Sequence, residues 1–290
     1  MSSYVGRFAP SPTGALHFGS LVAALGSWLF ARAAQGQWLV RMEDIDPPRE
    51  VAGAAAQILA TLAAFGLQSD APVLYQSTRR DAYAAALQRL IEQGDAFPCR
   101  CSRSDLETRG GAHGAVCAAS DPARDPAWRV RAPEAPIVFH DALCGELAQD
   151  LARDVGAFVL QRVDGLYAYQ LAVVVDDSAQ GVTQVVRGAD LLDSTPRQIW
   201  LQRLLGLPTP SYAHLPLVLD ASGRKLSKQD RALPVDPGDP LPALRAALRF
   251  LGFSASQVAR QGTTARLLRQ AVAHFDPARI PCRRTATEPA

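Results

Sequence analysis

The sequence predicts an α/β fold with a parallel sheet, an inserted subdomain near its middle and a short helical region at its end. Three observations carry this expectation. A strand–helix–strand pattern fills about the first forty residues. From about residue 97 to 151, Gly, Pro, Asp and Arg rise, helical periodicity disappears and four of the five cysteines occur. Two helical segments then follow the last loop-rich stretch. With 290 residues and 48% hydrophobic content, the chain can bury a sizeable core shared by two or three compact units.

The elements follow in order. Tyr4–Phe8 reads as a strand, Phe18–Gln35 as a Leu/Ala-rich helix stopped by Gly36, and Gly36–Met42 as a second strand. Such a unit implies a right-handed crossover between parallel strands. Pro48 opens a helix expected to run to about Phe65, and Thr78 with Asp81 resembles a capping box for a helix ending near Gly94. These elements make residues 1–96 the first half of an α/β domain. Residues 97–151 form the insertion, with short strands at Trp128–Arg131 and Ile137–His140. Residues 152–206 complete the domain through Ala157–Gln161, an Asp164-Gly165 turn, Gln170–Val175, Thr183–Arg187 and a helix from Ser194-Thr195-Pro196 to Gly206. Residues 207–282 hold a loop and two helices, Pro242–Leu251 and Ser254–His274. Residues 283–290 are expected to be a disordered tail.

Bulk charge decides little: a net charge of +2 and a pI near 8.3 permit nucleic-acid binding without arguing for it. The kind of base is more telling. Of 30 Lys plus Arg, only Lys225 and Lys228 are lysine, within a span of four residues, as if compact ammonium groups were needed to reach phosphate. Codon bias is the plainer alternative. The opening MSSYVGRFAPS has no basic segment leading into an apolar run, so no secretory leader is expected. No stretch suits a membrane span, and five cysteines in this length do not suggest a disulfide framework. A monomer in a reducing cytoplasm, with no membrane partner, is the expectation.

Five segments carry chemistry. The first, Arg7-Phe8-Ala9-Pro10-Ser11-Pro12-Thr13-Gly14-Ala15-Leu16-His17-Phe18-Gly19-Ser20, lies where a strand runs into a helix, the ligand-binding end of a parallel sheet. The helix N-terminus suits phosphate, Gly19 allows close approach, and His17 stands at the mouth as a neutral donor. A rigid turn with a capping histidine is the alternative. The second is Lys225-Leu226-Ser227-Lys228-Gln229, preceded by Asp220, Ser222 and Gly223, which suit a loop closing over a nucleotide. The third, Arg41-Met42-Glu43-Asp44-Ile45-Asp46-Pro47, ends the second strand; its acids suit an ammonium, a metal cluster or a helix start. The fourth joins Tyr167–Asp177 to Val186–Leu191 and contains Tyr169 and Arg187. The fifth is Cys99, Cys101, His113 and Cys117 with intervening glycines, a set able to hold Zn²⁺ in a closed tetrahedral site. Inert thiols are the alternative there. Cys144 and Cys282 look unpaired and structural.

His17-Phe18-Gly19-Ser20 resembles the first signature of class I aminoacyl-tRNA synthetases, with Ser20 where a second histidine is usual. Lys225–Gln229 resembles their Lys-Met-Ser-Lys-Ser loop. The Arg7–Gly14 run and the Arg41–Asp46 segment narrow the likeness to the glutamyl and glutaminyl branch, with Glu43 favouring the glutamyl side. The resemblance extends from about Tyr4 to Leu251 and implies a Rossmann-like catalytic domain. It assigns ATP to Pro10, Pro12, Gly14, His17, Gly19, Ser20, Lys225 and Lys228, with His17 and Lys228 catalytic. It assigns L-glutamate to Arg7, Phe8, Ala9, Pro10, Ser11, Glu43, Tyr169 and Arg187. Mg²⁺ is implied with ATP, and one structural Zn²⁺ in the insertion, where relatives usually carry tyrosine at the position of His113.

Only about sixty residues follow the lysine loop, too few for a second large domain. That pattern resembles the glutamyl-queuosine tRNA synthetases, which attach glutamate to queuosine in the anticodon of aspartate tRNA. The implied activity is tRNA-independent formation of glutamyl-adenylate, then transfer to a hydroxyl of the cyclopentene diol. Three alternatives stand beside it: a truncated glutamyl-tRNA synthetase acting on the terminal adenosine, a nucleotidyltransferase of the wider superfamily, and a non-enzymatic paralogue that binds tRNA or zinc.

Overall fold

The computed structural model describes residues 4–107, 113–114, 116–117, 119–121, 123–219, 234–258, 262–281 and 285–287. β1 (Val5–Phe8), α1 (Phe18–Ala33) and β2 (Gln37–Met42) form the expected parallel unit, with Val5 opposite Gln37 and Phe8 opposite Val40. α1 is buried almost continuously from Leu21 to Ala31, as a helix apolar on every side must be. The predicted helix from Pro48 is broken. Pro47–Arg49 make a 3-10 turn and α2 spans Ala54–Ala64, because Gly53 takes a left-handed φ of 79° immediately before it.

β3 (Leu74–Tyr75) extends the sheet beside β2, and α3 spans Arg80–Glu92. The capping box does not form. The Thr78 hydroxyl donates to the Tyr75 carbonyl at 2.7 Å, and Gln76–Arg79 form a 3-10 turn instead. There follow β4 (Ala96–Cys99), α4 (Arg103–Glu107), β5 (Ala127–Val130), β6 (Ile137–Asp141), β7 (Gly145–Gln149), α5 (Leu151–Asp154) and β8 (Phe158–Gln161). Strand pairing crosses the compositional boundaries of the insertion. β5 lies antiparallel between β4 and β8, whereas the β6–β7 hairpin joins the other half of the molecule.

That half contains α6 (Tyr169–Ala179), β9 (Gln184–Gly188), α7 (Thr195–Leu204), β10 (Ser211–Leu215) and β11 (Leu217–Leu219). Its sheet order is β7-β6-β10-β9, with β10 parallel to both of its neighbours. β1 and β9 meet at their starts, where Thr183 N–H donates to Val5 O and Val5 N–H donates to Thr183 Oγ1, each at 2.9 Å. Among the described residues, no strand ladder continues between them. The chain therefore winds outward in opposite directions from β1 and β9, and a crevice opens at their carboxyl ends.

α8 (Pro240–Phe250) and α9 (Thr264–Ala273) pack their apolar faces on α1 through Leu244, Leu248, Leu267 and Leu268. Burying such side chains stabilises by roughly 1.5–3 kcal/mol each. The second of these helices is shorter than Ser254–His274; Thr263 caps it after Gly262, whose φ is 130°. The tail expected to be disordered contains β12 (Thr285–Thr287), paired parallel with β11. No helix of the described residues is long and apolar enough to cross a membrane.

Candidate active site

The crevice between β1 and β9 is a cavity of about 310 Å³. Its wall gathers Arg7, Phe8, Ala9, Pro10 and Ser11 from β1 and the following loop, His17, Gly19 and Ser20 from the start of α1, and Glu43, Tyr169 and Arg187. Pro12 and Gly14 do not line it, although Thr13 does. Pro10 and Pro12 act through their carbonyls, which accept N–H bonds from Glu43 and Val51 at 2.9 Å each. Gly14 has a φ of 137°, a conformation that favours glycine. Lys225, Lys228, Asp220, Ser222, Gly223 and Cys282 lie outside the described residues.

His17 caps α1. Its Nδ1 accepts the Ser20 N–H at 3.3 Å, which leaves the ring proton on Nε2, 3.0 Å from Ser20 Oγ. The capping and donor readings of this histidine are thus compatible, since one nitrogen serves each.

The charged side chains are held from behind. Arg7 Nε donates to Asp177 Oδ1 at 3.1 Å, and Arg41 Nη1 donates to the same oxygen at 2.7 Å. Arg7 is 3% exposed, and among the described residues its Nη groups have no protein partner. Burial pushes the Asp177 carboxyl up, but Arg41 and Arg7 outweigh it and hold it below the ordinary range. Glu43 differs. Its contact with Arg41 Nη2 is long, 3.4 Å, and burial dominates, raising its carboxyl above the ordinary value against Arg41 and Arg7. Tyr169 opens α6 and accepts from Arg187 Nη1 at 3.2 Å; burial raises its phenol, which stays protonated.

Arg187 also donates to Leu191 O, Thr195 Oγ1 and His214 Nε2. Sequence reasoning assigned no role to Asp177, Asp141, Thr195 or His214. The Asp176-Asp177 doublet after three valines is a signal of buried pairing; His214 stands on β10, which no pattern in the sequence singles out.

A second cavity of about 640 Å³ adjoins the first and shares Ala9, Ser11, Thr13, Glu43, Tyr169 and Leu191 with it. Asp46, Arg49, Glu50, Gln76, Arg162 and Tyr167 are among its other walls.

In the insertion, Cys99, Cys101 and His113 bring their donor atoms within 4.8 Å of one another, a group able to hold a metal ion. Cys117 Sγ lies 3.9 Å from Cys101 Sγ. His113 Nδ1 bonds the Gly114 carbonyl, so Nε2 presents its lone pair to the Cys99 sulfur 2.9 Å away. Gly156, with a φ of 70°, packs so tightly on His113 that a Cβ there would lie 2.3 Å from the His113 carbonyl oxygen.

The family described as tRNA synthetases class I (E and Q), catalytic domain, matches residues 4–274. The chain belongs to that family. Glutamyl-Q tRNA(Asp) synthetase of Xanthomonas oryzae pv. oryzae is 59% identical over 282 residues, covering 97% of this chain and 94% of the relative. The protein of that name from Pseudomonas aeruginosa is 53% identical, covering 99% and 98%. Among solved structures, a glutamate tRNA ligase from Elizabethkingia meningosepticum, in complex with its amino acid, superposes with a TM-score of 0.82 at 25% identity. That match covers all of this chain and 68% of the ligase. The class I catalytic core, a parallel α/β sheet split at the crevice between β1 and β9, is therefore the architecture of this family member.

Proposed function

We propose that the chain activates L-glutamate with ATP and transfers it to queuosine in the anticodon of aspartate tRNA. The observation that carries the first half is the charge pattern of the cavity. Two buried arginines and one weakly paired carboxylate mirror the two carboxylates and one ammonium of glutamate. The names borne by relatives at 53–59% identity support the acceptor.

Arg7 and Arg187 bind the carboxylates, Glu43 the ammonium, and Tyr169 adds a neutral hydrogen bond. The backbone of Phe8–Ser11 forms the floor. ATP, entering with Mg²⁺ as its counter-ion, lies along Pro10–Gly14 and the N-terminus of α1, against His17, Gly19 and Ser20. The α-carboxylate oxygen attacks the α-phosphorus, the bond to the β,γ-phosphates breaks, and pyrophosphate leaves. His17 and Lys228 stabilise charge as it develops there, and Lys225 holds the leaving group. A diol hydroxyl, entering through the second cavity, then attacks the acyl carbon. The acyl–phosphate bond breaks, AMP leaves and the hydroxyl proton passes to solvent. One chain supplies all of these groups, so the reading needs no second copy.

Cys99, Cys101, His113 and Cys117 would hold one Zn²⁺. Three sulfurs and an imidazole whose other nitrogen is already bonded suit that ion, which would act as a cross-link and no more, since four protein ligands leave no open position.

The test is pyrophosphate exchange with glutamate in the absence of tRNA, followed by transfer of labelled glutamate to aspartate tRNA with and without queuosine. Exchange without tRNA and transfer only to the modified RNA are expected. Glutamate recovered on a terminal adenosine, with none on queuosine, overturns the acceptor; no exchange overturns the activation chemistry.

A further inference from the structure

Arg187 donates at four contacts, and the group directly behind it is an imidazole. His214 is 1% exposed on β10, with its Nε2 3.1 Å from Arg187 Nε and 3.2 Å from Thr195 Oγ1. Arginine keeps its protons, so Nε–H can only donate and His214 Nε2 must accept. The single ring proton of neutral imidazole then sits on Nδ1, 2.6 Å from Asp141 Oδ2. Asp141 is 0% exposed and its other oxygen is committed, accepting backbone N–H from Leu143, Cys144 and His214 at 3.0, 2.9 and 3.2 Å.

We propose that Asp141 and His214 form a positioning relay: the carboxylate fixes the imidazole tautomer, and the imidazole fixes the direction in which Arg187 meets glutamate. The proposal rests on the reading of this cavity as the glutamate site. His214 touches no substrate in this arrangement; it acts through Arg187. The groups that face it come from four elements besides its own strand: Asp141 on β6, Arg187 on β9, Arg7 on β1 and Thr195 at the start of α7, with Tyr212 of β10 stacked alongside. Burial disfavours the imidazolium first, Asp141 favours it, and Arg187 and Arg7 disfavour it; the balance holds His214 below its ordinary value. A second ring proton would point Nε2–H at Arg187 Nε–H, which is the arrangement the relay excludes.

Asp141→Asn tests this because it changes the tautomer without changing the shape. The three backbone donors need an oxygen at their side of the side chain. The amide nitrogen of Asn would then face Nδ1, which must accept, and the proton moves to Nε2 against Arg187. The expected result is a rise of about 10- to 100-fold in the glutamate KM of pyrophosphate exchange, the size of a mispaired buried donor. The ATP KM and kcat should stay within about twofold. Nitrogen-15 NMR of the imidazole should report Nδ1–H in the parent protein and Nε2–H in the variant. His214→Gln, whose amide oxygen can accept from Arg187, should lose less glutamate affinity than His214→Leu, and this pair carries the test if the Asn variant does not fold.

A flipped tautomer with unchanged glutamate KM overturns the relay. So does an equal rise in both KM values, or equal losses for His214→Gln and His214→Leu. Arg187→Met separates the two levels of inference. An unchanged glutamate KM in that variant discards the pocket reading, whereas a large loss there with normal kinetics for Asp141→Asn and His214→Leu discards the relay alone.

Discussion

The crevice between β1 and β9 and the Cys/His cluster are built by opposite means. In the crevice, the proposed glutamate-binding arginines stand on parallel strands, and each is backed by a buried partner: Arg7 by Asp177, Arg187 by Thr195 and His214. The sheet behind them buries large side chains such as Trp38, Leu25 and Leu29. Around the cluster, among the described residues, Phe97, Cys99 and Ala157 form a small buried apolar group, and the donors sit on loops and a strand end. Where apolar burial is this thin, the proposed metal would supply as a cross-link what a core supplies elsewhere. The crevice is held by packing and paired charge; on the proposed reading, the cluster depends on its metal.

That contrast breaks first at the metal. Cys101→Ser, or chelation of the parent protein, should take bound zinc from about one equivalent to below ~0.2, since structural metal and local folding are one equilibrium. Limited proteolysis should then cut within 97–131, while pyrophosphate exchange with glutamate persists. Exchange lost in proportion to metal would join the two regions and refute the contrast. Asp177→Asn is the complementary blow. It leaves Arg7 and Arg41 buried without their shared carboxylate, and breaking such a pair costs about 3–5 kcal/mol. Urea denaturation should show that loss while zinc content stays intact. A loss of less than about 1 kcal/mol would mean that the arginines are not held as described.

How much of this was legible in the sequence depended on how local each signal is. The strand–helix–strand unit and the loop after β1 were, because their pattern is carried by consecutive residues from Tyr4 to Met42. The gathering of Arg7, Glu43, Tyr169 and Arg187 around one cavity followed only from the family resemblance, since they come from four separate segments. The broken helix at Gly53 and the failed capping box at Thr78 were misread because apolar and polar spacing cannot show where a backbone turns left-handed or a hydroxyl bonds backward. The partners behind the site were least legible of all. Asp141 and His214 are 73 positions apart and meet only because β6 and β10 are neighbours in the sheet.

The smallest expected effect lies inside the crevice, where two carboxylates have been tuned in opposite directions. Asp177 is held below the ordinary range because Arg41 and Arg7 outweigh its burial. It contributes stability above the unfolded-state value and loses that contribution as pH falls through its folded value. Glu43 is raised, because burial outweighs its long contact with Arg41 and the more distant charge of Arg7. Its folded form holds a proton more tightly than the unfolded chain, so its contribution to stability lies on the acid side and fades as pH rises through its folded value. Only the ionised form can pair with an ammonium. The glutamate KM in pyrophosphate exchange should therefore be flat above the raised value of Glu43 and rise on acidification through it, up to about tenfold per pH unit, beginning above the ordinary carboxylate range. Binding of the ammonium pulls the bound value down, so kcat should keep its plateau to lower pH than kcat/KM does. Glu43→Gln should bind glutamate weakly at every pH and lose this limb of the profile. A parent enzyme whose glutamate KM stays level down to the ordinary carboxylate range would show that Glu43 is already satisfied before substrate arrives, and would remove it from the ammonium site.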